Sequence, residues 1–182
     1  MLDVEGRTVR NVVFMGMGEP LHNERPLYPA LDVLTSADCF GVAPQRVMVS
    51  TVGIPAAMVR CAKRFPNVRM ALSLHSVRPE VRRRIMPIAA RYDLAALRDA
   101  VVRVAAIQTQ DVMIEYVMLA GLNDTDGDFA ALTSYLRGLP VHINLIPYNP
   151  IQSAPRLAGS DPARRAEFSR ALKAAGFRVT MR

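Results

Sequence analysis

The stretch Asn11–Asn23, NVVFMGMGEPLHN, decides how the rest of the chain is read. Val12, Val13, Phe14 and Met15 are apolar and β-favouring without alternation, the pattern of a short strand buried on both faces. The run breaks at Gly16-Met17-Gly18, where backbone without a Cβ can turn sharply and lie close to a ligand. Glu19-Pro20 follows at once. A carboxylate just past the C-terminal end of a buried strand stands where α/β folds place their chemistry. A strand ending in a glycine turn with an exposed Glu accounts for the same letters.

Working outward, short β-rich runs alternate with helical segments to the end of the chain. Pro26 to about Cys39 is expected to be helical, with Leu27, Ala30, Leu31 and Leu34 on one face. Gln45–Thr51, Val68–His75, Val112–Leu119 and Val141–Pro147 are the next expected strands. Helices are expected over about Ile54–Phe65, with Pro55 in the first turn, and over Pro79–Ile85. Three more are expected over Leu94–Ile107 behind an Asp93 cap, over Asp128–Arg137, and over Pro162–Ala175 behind an Asp161 cap. A loop containing Pro150 and Pro155 precedes the last of these, and Phe177–Arg182 looks like a sixth strand. Strands that each return through a helix pair in parallel. No GxGxxG follows the first strand, so the dinucleotide-binding fingerprint is missing. The expected fold is α/β: a partial or open (β/α) barrel of five βα units plus the start of a final strand, as one domain over 1–182.

Composition narrows the function classes. Hydrophobic residues make up 51% and charged residues 21%, which suits a folded chain rather than a disordered tail. No apolar run approaches the roughly 20 residues of a membrane span, and MLDVEGRTVR lacks a signal-peptide core, so a cytoplasmic location is expected. The net charge is +7, and only Lys63 and Lys173 among the basic residues are not arginine. This balance fits a polyanionic partner such as nucleic acid; an arginine-rich genome would write the same surface. Arg78, Arg82, Arg83 and Arg84 are the candidates for phosphate contact, with a solvated helix face as the alternative. Cys39 and Cys61 lie 22 positions apart with no partner at metal spacing. That excludes a disulfide framework and any self-contained zinc or iron–sulfur motif, and buried free thiols are expected.

Position is the informative fact about the polar residues. Gly18-Glu19, Ser50-Thr51, Ser73 to His75, and Asn149 all fall at C-terminal ends of successive expected strands, which share one mouth in a parallel barrel. Singly, Ser50 could cap a helix, His75 could be a satisfied half-buried imidazole, and Asn149 could brace the turn before Pro150. Together they suit a zwitterionic, sugar-bearing ligand. The Glu19 carboxylate matches an ammonium group, the Ser50 and Ser73 hydroxyls a carboxylate or ribose, and the Asn149 amide a base or amino acid. No general base with a partnered histidine is evident, which argues against self-sufficient hydrolysis.

Five ordered blocks, NVVFMGMGEPLHN, VMVSTVGIPA, ALSLHSVRPEVRRRIMPI, IEYVMLAGLND and HINLIPYNP, resemble the radical S-adenosylmethionine RNA methyltransferases of the RlmN/Cfr family. The resemblance spans essentially the whole chain. It implies a six-unit partial (β/α) barrel, S-adenosylmethionine as cofactor, a 4Fe-4S cluster in the full-length family, and methylation of adenine in large-subunit ribosomal RNA, in some members also transfer RNA. Under it, Gly18 and Glu19 match the Gly-Glu-Pro motif that holds the methionine amino end. Ser50 matches a cofactor-contacting serine, and Ser73, Leu74 and His75 match a Ser-Leu-His contact. Asn149 matches the asparagine of a Trp-Asn-Pro-like motif, with Tyr148 in the aromatic place. The family's CxxxCxxC cluster cysteines, its N-terminal accessory domain and its C-terminal methyl-accepting cysteine have no counterpart here. A cluster with one open iron needs three thiolates, so a monomeric, catalytically incomplete piece of such an enzyme is expected. The remaining expectations are another radical enzyme on the same barrel, or a basic RNA-binding module without catalysis.

Overall fold

The computed structural model describes residues 3–4, 7–150 and 156–181. It begins with a small antiparallel hairpin that the sequence did not announce, β1 (Asp3–Val4) with β2 (Arg7–Thr8). Six strands then lie side by side in sequence order: β3 (Val12–Phe14), β4 (Val47–Thr51), β5 (Arg69–Ser73), β6 (Val112–Met118), β7 (Val141–Pro147) and β8 (Arg178–Met181). Every pairing between them is parallel. An order without reversal is that of a barrel rather than of a doubly wound sheet. β3 and β8 remain unpaired edges, so the barrel is open. Pro155 and Arg182, expected in a loop and at the end of the last strand, lie outside the described residues.

Strand periodicity assigns the two faces. Val47, Val49, Met70, Leu72, Val112, Ile114, Tyr116, Ile143 and Leu145 share the main core with residues from α1 (Glu24–Thr35), α2 (Pro55–Arg64), α4 (Leu94–Ala105), α5 (Asp126–Leu136) and α6 (Pro162–Ala174). Residues of the opposite parity, Met48, Ala71 and Met113, form a separate small cluster that includes no helix residue. The helices therefore cover one face of the sheet. Short α3 (Pro79–Ile85) sits at the rim, where Val81 packs with Leu119 and Leu122.

The opening strand departs from expectation. Val13 is 43% and Met15 48% exposed, because among the described residues β3 lies at the sheet edge and pairs with β4 only. The helix expected from Pro26 starts at Glu24, after a 3-10 turn over Pro20–His22. The helix expected from Asp128 starts at Asp126. Thr125 is its cap, and Asp128 closes a capping box by accepting from the Thr125 amide while the Asp128 amide donates to Thr125 Oγ1. The Asp93 and Asp161 caps are as expected, accepting from Ala96 and Arg164 amides at 2.6 and 2.9 Å. Gly53 joins β4 to α2 at φ +98°, and a Cβ there would stand 2.5 Å from Leu97 Cδ2. Only glycine fits both the dihedral and the space. Among the described residues no helix is long and apolar enough to cross a membrane.

The two thiols differ. Cys61 is buried in α2, and burial pushes its thiol up to about 12. Cys39, expected to be buried, is exposed in the turn that follows α1, where its amide donates to Ser36 O. A thiol reagent at pH 8 should therefore titrate one cysteine in the native chain and the second only after denaturation. Two fast-reacting thiols in native protein would contradict this packing.

Candidate active site at the C-terminal ends of the strands

Glu19 is the first anchor. Its Oε1 accepts from the Leu21 amide at 2.9 Å and from Thr51 Oγ1 at 2.7 Å, while Oε2 accepts from the Val52 amide at 2.7 Å. The carboxylate thus ties the end of β3 to the end of β4. Of its four or so lone-pair directions about one remains. Gly18, at φ +107°, supplies the turn that delivers Glu19 to this place. Phe14, Gly16, Gly18, Glu19, Asn23 and Leu27 line an open groove beside β3.

The second anchor lies under β4, β5 and β6. Ser50 and Ser73 donate to the same oxygen, Glu115 Oε2, at 2.7 and 3.0 Å. Glu115 is only 2% exposed. The register places Ser73, Glu115, Asn144 and Thr180 opposite one another on four neighbouring strands. This polar rung crosses the face that carries no helices. Thr180 completes part of it by donating to Asn144 Oδ1 at 3.1 Å.

Leu74 and His75 continue from β5 as a turn. Both amides donate to the Glu115 carbonyl, at 3.1 and 3.2 Å. The Leu74 side chain is fully buried, so it packs in the core while its backbone shapes the mouth. His75 has φ +57°, the left-handed region, and Asn123 Nδ2 donates to its carbonyl at 2.7 Å to hold it there. His75 Nδ1 accepts from the Val117 amide at 3.1 Å, and the ring also meets the Glu115 backbone. Burial, with Arg82 nearby adding to it, pulls the ring down to about 4. At neutral pH His75 is therefore uncharged.

Arg82 locks this arrangement from α3. Its guanidinium, 2% exposed, donates to Leu74 O at 3.1 Å, Val52 O at 2.6 Å and Ser73 O at 3.4 Å. Burial lowers its pKa from the ordinary value. Arg78 is also engaged internally, 2.8 Å from Asp128 Oδ1 and donating to Leu122 O. These two arginines were expected to meet phosphate. They instead satisfy carbonyls and a carboxylate that the turns leave open, and only Arg83 and Arg84 of that set are exposed.

The structure thus brings Gly18, Glu19, Ser50, Ser73, Leu74 and His75 into one bonded neighbourhood. Asn149 stands apart from it. It follows β7 at the same C-terminal edge, exposed and with no side-chain hydrogen bond among the described residues. Sequence reasoning missed Glu115, Asn144, Thr180 and the role of Arg82. A signal was present for the first two: one polar residue between apolar neighbours, Ile114-Glu115-Tyr116 and Ile143-Asn144-Leu145. Such a residue is inside only for a reason.

No family model matches the chain. Individual proteins do. A probable RNA methyltransferase of Rhodopirellula baltica is 47% identical over 178 residues, 98% of this chain and 47% of the relative. A probable dual-specificity RNA methyltransferase RlmN of Thermus thermophilus is 42% identical over 176 residues, 97% of this chain and 49% of the relative. The crystal structure of a radical SAM methyltransferase from Sphaerobacter thermophilus superposes with a TM-score of 0.92 at 34% identity, over 97% of this chain and 52% of that one. The chain is homologous to part of the RlmN-type RNA methyltransferases. It spans about half the length of these relatives. The open parallel barrel is thus the radical SAM architecture, as the resemblance implied.

Proposed function

We propose that this chain is the cofactor-cradling part of a radical S-adenosylmethionine RNA methyltransferase that acts on adenine carbon 2 in large-subunit ribosomal RNA, with transfer RNA as a second substrate class. The observation that carries the proposal is homology at 36–47% identity across nearly the whole chain to proteins named for RNA methylation. The geometry supports it. Glu19 retains about one acceptor position for an ammonium group, and Ser73 is partly open at the sheet end. This donor and acceptor set fits S-adenosylmethionine. Gly18, Glu19, Ser50, Ser73, Leu74, His75 and Asn149 would hold it, and bound there it supplies the methyl group.

The iron–sulfur cluster does not fit these residues. Only two cysteines are present, one in a turn behind α1 and the other inside the helix layer. The three thiolates would come from elsewhere in a longer protein, so the 182 residues alone are expected to be inactive. The exposed arginines, Arg83 and Arg84 among them, are the proposed contacts to RNA phosphate.

Calorimetric titration of the chain with S-adenosylmethionine tests the cradle. Saturable binding that S-adenosylhomocysteine displaces, and ATP does not, is the expected result. No heat at millimolar ligand would overturn it. The methyl-transfer half is tested in the complete protein, by tritium incorporation from labelled S-adenosylmethionine into a large-subunit RNA transcript. An inert complete protein with an intact cluster would refute that half.

A further inference from the structure

The polar rung holds a buried carboxyl group that folding alone does not explain. Glu115 sits in the middle of β6 and is 2% exposed, with no cation bonded to it among the described residues. Its Oε2 receives two hydroxyl donors, Ser50 and Ser73, and its Oε1 is buried without any partner. A carboxylate held this way is costly to the fold. Leucine or methionine, like Met48 and Met113 on the same face, would pack there without that cost.

The consequence for the two serines is specific. A hydroxyl has one proton, and both protons are spent on Glu115 Oε2. What each oxygen has left is lone pairs. Ser50 and Ser73 therefore meet a ligand as acceptors, although free serines could equally donate to a carboxylate. Without Glu115 the two protons would be free to swing outward.

We propose that Glu115 is a positioning residue that turns Ser50 and Ser73 into obligate acceptors, so that the part of the ligand lodged between β4 and β5 must be a hydrogen-bond donor: a ribose hydroxyl or an ammonium group. This rests on the proposed adenosyl-amino-acid site and sharpens it. The ligand's own carboxylate is directed away from the serines.

The test compares Glu115→Met and Glu115→Gln in the whole chain, using three probes: S-adenosylhomocysteine, 5′-methylthioadenosine, which lacks the ammonium, and the 2′,3′-dideoxy form of methylthioadenosine, which lacks both donors. Glu115→Met removes the acceptor and the buried charge together. Its melting temperature should equal or exceed that of the wild type, while affinity for the donor-bearing probe falls about tenfold, roughly 1.4 kcal/mol. Loss for methylthioadenosine as well as S-adenosylhomocysteine identifies ribose as the donor; loss for S-adenosylhomocysteine alone identifies the ammonium. The dideoxy probe should change by less than twofold in either case. Glu115→Gln keeps an oxygen that can accept both hydroxyls, and should stay within threefold of wild type. Equal loss for all three probes with a lowered melting temperature would make Glu115 merely structural and overturn the proposal. So would unchanged affinity for every probe in Glu115→Met. A wild-type chain that binds none of the three overturns the adenosyl-amino-acid site itself, and this proposal with it; the two failures are thereby distinct.

Discussion

Arg82→Met is expected to lower the stability of the chain by about 2–4 kcal/mol, because Val52 O loses its donor, Ser73 O loses a longer contact, and Leu74 O is left with the Ser76 amide alone. Burying a guanidinium without a carboxylate is expensive, and methionine would relieve that cost. The carbonyls decide the sign. Val52 O and Ser73 O lie where β4 and β5 have stopped pairing, and each unpaired buried acceptor costs about 1–3 kcal/mol. Arg82→Lys should recover only part of the loss, since one ammonium lacks the planar fork that spans acceptors on two turns. For a chain of this size each kcal/mol moves the melting temperature by about 2–4 °C, so Arg82→Met should melt roughly 4–16 °C lower. Urea unfolding at pH 7 measures the same quantity. A loss under about 1 kcal/mol would mean that water replaces the guanidinium easily, and that the turns carrying Val52 and Ser73 are not held by it.

The role of Arg82 shows where reading from sequence stops. RPEVRRRIMPI presents four arginines in a short amphipathic segment, and counting charge makes them equivalent. Helix geometry separates them. On α3 the residue one position after Val81 still faces the sheet, whereas Arg83 and Arg84 turn to solvent. Which arginine enters is decided by carbonyls from two other loops, and nothing local encodes those. Fold class was legible for the opposite reason. The apolar runs at Val47–Thr51, Val112–Met118 and Val141–Pro147 carry their period and length within themselves, and helices between them force parallel pairing. The candidate site falls between these cases. Gly18, Glu19, Ser50, Ser73 and His75 were marked by their place at strand ends. Glu115 was hidden because it lies inside a strand, where a single polar letter in IEYVM looks like one outward-facing residue until the register sets it opposite Ser73. Val13 and Met15 failed in the other direction: an apolar run specifies a buried strand only when both neighbours are present.

Stability should also fall by about 2 kcal/mol between pH 7 and pH 5 through His75 alone. Its ring titrates near 6.5 when unfolded and at about 4 in the folded chain, depressed by burial with Arg82 adding to it. Across that window the unfolded state binds more protons, so stability rises with pH. The contribution is complete above about pH 6.5, declines as pH drops through the unfolded value, and levels off below about pH 4. The whole gap corresponds to about 3 kcal/mol. The comparison is His75→Gln, in which an amide oxygen can still accept from the Val117 amide but nothing titrates. His142 is shifted in the same direction, by burial first, and is present in both proteins, so its share cancels in the difference. Urea unfolding at pH 7, 6 and 5 should give a steeper fall for the wild type than for His75→Gln. Parallel curves would show that the imidazole charges freely in the folded state. His75 would then be a cation at mildly acid pH, beside the buried Arg82.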